Sequence, residues 1–244
     1  MRFRVEPVRR VVTVLVDPAG ATHSAATDPN PWSIALTVFT IAIVLGALSL
    51  PRQLALLGEA LAPLGQVALD LHHEAMRSGL TRVILADRLL LSPTMLLAAG
   101  LVVLVSEPIL SLADDRRKGL WAIALLGLAP LLVQEVGELT LTYLAAPTDP
   151  TPGEAVDLAN RFVTGPLLFW RGETPAPLWL QILNSRLNLV TLWCVALWAM
   201  GLRALDGGRL QPWHVAVPLT SLGIAGVVTW IGTPLVTAAL LGRP

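Results

Sequence analysis

Hydrophobic positions in this chain gather into five long runs, at residues 32–50, 90–112, 119–144, 187–205 and 213–241. An α-helix rises about 1.5 Å per residue, so about 20 apolar residues cross a hydrocarbon core roughly 30 Å thick. Within these runs the only acids are Glu107, Glu135 and Glu138, and the only base is Arg203. The pattern predicts an all-α fold: a polytopic membrane helical bundle of five transmembrane helices, with amphipathic helices at its interfaces.

The segments between the runs complete the organisation. Residues 1–31 form a polar lead-in, in which the apolar residues 11–16 are expected as a short interfacial turn. Asp28-Pro29-Asn30-Pro31 interrupts regular structure, because each proline restricts itself and its predecessor. The first helix is expected to leave the membrane at Leu50, with Pro51 and Arg52 marking its exit. Leu54, Leu57, Leu61, Leu64, Ala68, Leu71 and Ala75 then recur at spacings of three and four, which predicts an interfacial helix broken near Pro63 and reaching about Arg88. Asp114-Asp115-Arg116-Arg117-Lys118 reads as a tight charged turn that makes helices 2 and 3 antiparallel neighbours. Residues 166–170 and 178–183 are apolar but too short to span, and are expected at the interface with Trp170 and Trp179. Residues 32–244 thus form one membrane domain behind the lead-in.

Composition supports this reading. The chain is 54% hydrophobic and 14% charged, against roughly 25% charged in soluble domains. Its formal net charge of zero argues against a nucleic-acid partner. The one cysteine, Cys194, lies in the fourth run and has no internal disulfide partner. The N-terminal arginines are followed by too short an apolar run for a signal peptide, which needs about 7–15 residues. The short connecting segments decide orientation, because long loops cross with little regard to charge. Arg116, Arg117, Lys118, Arg203 and Arg209 join Arg2, Arg4, Arg9 and Arg10 on one side. The N-terminus is therefore expected in the cytoplasm, with the protein in a plasma or inner membrane.

Few residues offer chemistry. Gln134, Glu135 and Glu138 fall three and four apart on helix 3, which clusters them on one side. A carboxyl group at membrane depth is protonated, paired or facing water. Two readings stay open: a proton, cation or substrate site, or a polar cluster bonding a neighbouring helix. Glu107, before Pro108, lies within reach of Arg116 and Arg117, which points to snorkelling or kink satisfaction. His72-His73-Glu74 is not a ready metal site, because adjacent helical residues point apart and zinc needs three or four convergent ligands. No zinc-protease motif, nucleophile elbow or phosphate loop occurs. No cofactor and no catalytic residue is expected. Ala42 with Gly46, and Gly223 with Gly226, supply small faces for close helix contact.

Two segments resemble the Yip family, the Ypt-interacting, Yip-one-domain membrane proteins. Val11-Val12-Thr13-Val14-Leu15-Val16-Asp17-Pro18 resembles the apolar turn ending in proline before that family's first span. Residues 187–205 are similar to its fourth helix, which carries a Trp, then a Leu, then a Gly before a short turn. Pro130 matches a proline common in its third helix. The resemblance implies a prokaryotic-type member: a five-span bundle with a cytoplasmic N-terminus and no catalytic residues. Eukaryotic members look like adaptors for small GTPases and membrane-shaping factors. The expected function is non-enzymatic: association with membrane lipid and with a membrane-protein partner or larger complex. Transport through Glu135 and Glu138, or service as an accessory subunit, are the alternatives.

Overall fold

A computed structural model describes residues 6–26, 31–65, 93–111, 114–144 and 188–240, together with Ser78 and Thr81. Helices make up the described residues, with turns and short links between them and no strand. They are α1 (Glu6–Val16), α2 (Pro18–Ala25), α3 (Pro31–Gly65), α4 (Pro93–Leu110), α5 (Asp114–Leu126), α6 (Ala129–Leu144), α7 (Leu189–Leu205) and α8 (Trp213–Leu240). Three stretches are long and apolar enough to cross a membrane: Pro31–Leu56, Pro93–Leu110 and Arg116–Leu144. Leu189–Leu205 and Trp213–Val228 are shorter apolar helices.

The third of these stretches is the central strut, and it is broken. Pro130 has no N–H to offer Leu126, so the regular ladder cannot continue through it. Leu128 N bonds to Leu125 O at 3.2 Å instead of reaching back a full turn, and α6 restarts at Ala129. The Ala124 carbonyl takes the indole N–H of Trp198, at 2.8 Å, in place of an α-helical backbone donor. Trp198 is completely buried on α7. Gly127 makes room for it: a Cβ there would strike Nε1 and Cδ1 of the indole.

Contacts along the strut set the directions of its neighbours. Trp32 stacks on Trp121 with ring centroids 5.8 Å apart, and Tyr143 Oη donates to Leu48 O at 2.9 Å. Residue numbers therefore rise together, and α3 runs parallel to α5–α6. On α7 they run opposite, since Trp198 meets Ala124 and Gly127 whereas Gly201 packs on Ile123, nearer the start of α5. One end of the bundle thus gathers the start of α3, the end of α4, Arg116–Lys118 on α5 and Arg203 on α7.

Several boundaries differ from expectation. Helix 1 does not end at Leu50; α3 runs through Pro51 and past Pro63 to Gly65. A proline costs one hydrogen bond but leaves the flanking turns intact, and here Arg52 pairs with Glu59 at 3.1 Å across the continued helix. Of the remainder of the expected interfacial helix, to Arg88, Ser78 and Thr81 alone are described, and residues 166–170 and 178–183 lie outside the described residues. Asp114–Lys118 is the first turn of α5 rather than a charged turn. Ser111, at φ 46°, ends α4 in the left-handed region.

The lead-in is also structured. Residues 11–16 belong to a helix, not a turn, because Val11 and Val14 fall on one face and join the core. Asp17 then caps α2, its Oδ1 accepting from Gly20 N at 3.0 Å, with Pro18 at the first helical position. Helix α1 packs on α3 and α6, and α2 on α5 and α7. Gly119 lets α2 close on α5, since a Cβ there would strike the Ala26 carbonyl. Gly119→Ala is expected to cost about 1–3 kcal/mol by overpacking. Reduced protection of Ala21–Ala25 in amide exchange would register the loosened docking.

Candidate functional site

Helix α6 wears its polarity inward. Glu135, Glu138 and Thr142 are buried, while Val136, Tyr143 and Leu144 on the other side are exposed. Spacings of three and four place the buried three on one stripe, and α6 packs against α3, α7 and α1. Gln134 Nε2 donates to Glu138 Oε1 at 2.9 Å, one helical turn apart. This amide fixes one carboxylate oxygen in direction. The Tyr143 hydroxyl bond to Leu48 clamps the outer end of α6 to α3.

The same inversion runs through the bundle. Leu36 is 71% exposed on α3, Leu104 is 69% exposed on α4 and Leu235 is 66% exposed on α8. Ser49, Ser106, Asn188 and Ser221 are buried. In water such apolar belts would drive association, since soluble monomers rarely expose patches larger than a few hundred Å². In lipid they are the expected exterior, and polar groups turn inward.

Of the four polar residues singled out in the sequence, three come together and one does not. Gln134, Glu135 and Glu138 share the inner half-turns of α6. Glu107 lies at the other end, where its Oε1 pairs with Nη2 of Arg117. Arg117 is 17 residues before Gln134, roughly 25 Å by helical rise. Glu107 therefore ties α4 to α5 and takes no part in the stripe. Cys194 is a buried free thiol in the core. His72, His73 and Glu74 lie outside the described residues. Among the described residues, no three His, Cys, Asp or Glu side chains gather as a metal-ligand set.

A polar joint that sequence reasoning missed lies between α7 and α8. Gly207 and Gly208 adopt φ of 74° and 89°, and Gly208 N bonds to Arg203 O at 2.9 Å, closing α7 in a Schellman turn. Arg203 Nε returns the bond to Gly208 O at 2.6 Å. His214, fully buried, accepts from Gln211 N through Nδ1 at 2.9 Å and meets Asp206 Oδ2 through Nε2 at 3.0 Å. Nothing local in the sequence marks His214 as the bolt of this turn.

The arrangement of α6 can hold a proton, a cation or a cationic group between helices, or bond a neighbouring helix. It offers no nucleophile paired with a base among the described residues. Comparison of the chain with protein-family models, with curated proteins and with solved structures finds no match. The likeness to the Yip family gains no support from these comparisons and rests on the short segments quoted above.

Proposed function

We propose that the chain is a five-span integral membrane protein that works without catalysis, by associating with lipid and with partner membrane proteins. The observation that supports this is the apolar exterior of the bundle: leucines and valines of α3, α4 and α8 stay exposed, while Glu135, Glu138 and Thr142 are buried beside an apolar core. The spans are α3, α4, the broken α5–α6, α7 and α8. Helix directions support the alternation, since α3 and α5–α6 run parallel and α7 runs opposite. Arg116, Arg117, Lys118, Arg203 and Arg209 face the cytoplasm in this reading, as the positive-inside rule requires of short connections. The N-terminus shares that side, in a plasma or inner membrane.

Helix α8 is the association surface in this reading, because α7 is its main neighbour and Leu219, Ile224, Val227, Ile231 and Leu235 stay exposed. Native mass analysis in mild detergent tests it: a stoichiometric partner or a second copy is expected, and a lone chain with lipid only would overturn protein association. Reporter fusions test the topology. A reporter inserted at Gly208 and one at the N-terminus should read cytoplasmic, and one at Pro244 should read external. The same reading at Gly208 and Pro244 would sink the five-span arrangement.

A second reading, permeation or transport, is favoured by one observation: two carboxylates lie buried on the inner stripe of α6 at membrane depth. Intramembrane carboxylates are candidates for ion and proton paths by default.

A further inference from the structure

We infer that His214 and Asp206 form an acid-released latch on the α7–α8 turn. The bond pattern dictates the tautomer. Nδ1 accepts the Gln211 N–H, so it carries no proton, and Nε2 carries the proton directed at Asp206. A neutral imidazole satisfies both neighbours; an imidazolium does not. Its second proton must sit on Nδ1, where it would face the Gln211 N–H, donor against donor. Protonation keeps the Asp206 contact and breaks the Gln211 contact. Full burial removes water as a substitute acceptor.

The bond that breaks holds the first turn of α8. His214 N and Ala216 N bond to Gln211 O and Pro212 O at 3.1 and 3.0 Å, and Trp213 Nε1 donates to Gln211 Oε1 at 3.1 Å. Displacing Gln211 therefore loosens the start of α8 while the Schellman turn at Gly207–Gly208 stays closed. The charged groups at this joint are Asp206 and Arg203 from α7, the helix on which α8 chiefly packs, and Arg209 in the turn. The first turns of α8 add no charged side chain besides His214.

Amide hydrogen exchange of the full chain in lipid nanodiscs tests this, read as protection relative to the intrinsic rate at each pH. Between pH of about 8 and about 5, protection at Gln211–Ala216 should fall by tenfold or more while α5 and α6 keep theirs. In His214→Asn, Oδ1 stands near the place of Nδ1, accepts the same N–H and does not titrate, so protection should hold at both pH values. Asp206→Asn should move the loss to lower pH. Nitrogen-15 shifts of His214 in the unmodified chain provide a second measurement that needs no variant: at the upper pH the proton should reside on Nε2. Unchanged protection across the range, a loss that persists in His214→Asn, or a proton on Nδ1 at the upper pH would each overturn the latch.

Discussion

Trp198→Ala is expected to lower stability by about 3–5 kcal/mol. Two effects combine. The indole fills the groove over Gly127, so its removal opens a cavity at the junction of α5, α6 and α7. The Ala124 carbonyl also loses its donor in a buried site, at about 1–3 kcal/mol by itself. Trp198→Phe separates the two: it retains most of the volume and should lose only the hydrogen-bond part. Gly127→Ala should be destabilising for the opposite reason, because the new methyl group collides with the indole. The pair is therefore coupled. In the Trp198→Ala background the Gly127→Ala cost should shrink by about 1 kcal/mol or more, as substitutions in direct contact do. Denaturation in mixed micelles, followed by circular dichroism, measures all four corners of the cycle. Additive costs would show that the indole does not rest on Gly127.

Glu138→Gln is expected to abolish cation- or proton-driven flux in liposomes, with at least a tenfold loss, if the second functional reading holds. The amide keeps the size of the side chain and still offers an oxygen to Gln134 Nε2, so the fold should survive. It cannot release a proton or carry the negative charge that attracts a cation. Glu135→Gln should act likewise, since both carboxylates lie buried on one stripe. Glu107→Gln is the control: it removes a charge that pairs with Arg117 at the far end and should leave flux intact. Unaltered flux in the Glu138→Gln and Glu135→Gln proteins, with thermal stability lowered instead, would assign the stripe to helix packing and leave association as the function. Exposed ion pairs contribute roughly 0–1 kcal/mol, so Glu107→Gln should scarcely move the unfolding midpoint.

Much of the architecture was legible in the chain because apolar length is a strong, local signal. The starts of α3 and α8, the end of α7 and the pairing of Glu107 with a nearby arginine follow from charge-free runs and their flanks. Misjudged boundaries share a cause. Pro51, Pro63 and the charges at Asp114–Lys118 read as stops in the sequence, yet a helix held by its neighbours tolerates a lost bond, and the carboxylates of Asp114 and Asp115 suit the positive end at a helix start. Residues 11–16 read as a short interfacial turn because six residues are too few to define a helical face. Their place in the core appears only once α3 and α6 provide a surface for Val11 and Val14.

The sequence by itself determined that this is a helical chain with membrane-length apolar stretches and that two of the three acids within them, Glu135 and Glu138, lie one turn apart on the third. These properties depend on residues close together along the chain, where helical periodicity and desolvation cost operate. Only the tertiary structure decided that the carboxylates point inward, that Trp198 replaces the backbone donor at a broken span and that His214 bolts the last turn. Each of those depends on which surface faces which. Trp198 and Ala124 are 74 residues apart, and no local preference can encode the meeting of one donor with one freed carbonyl across that distance.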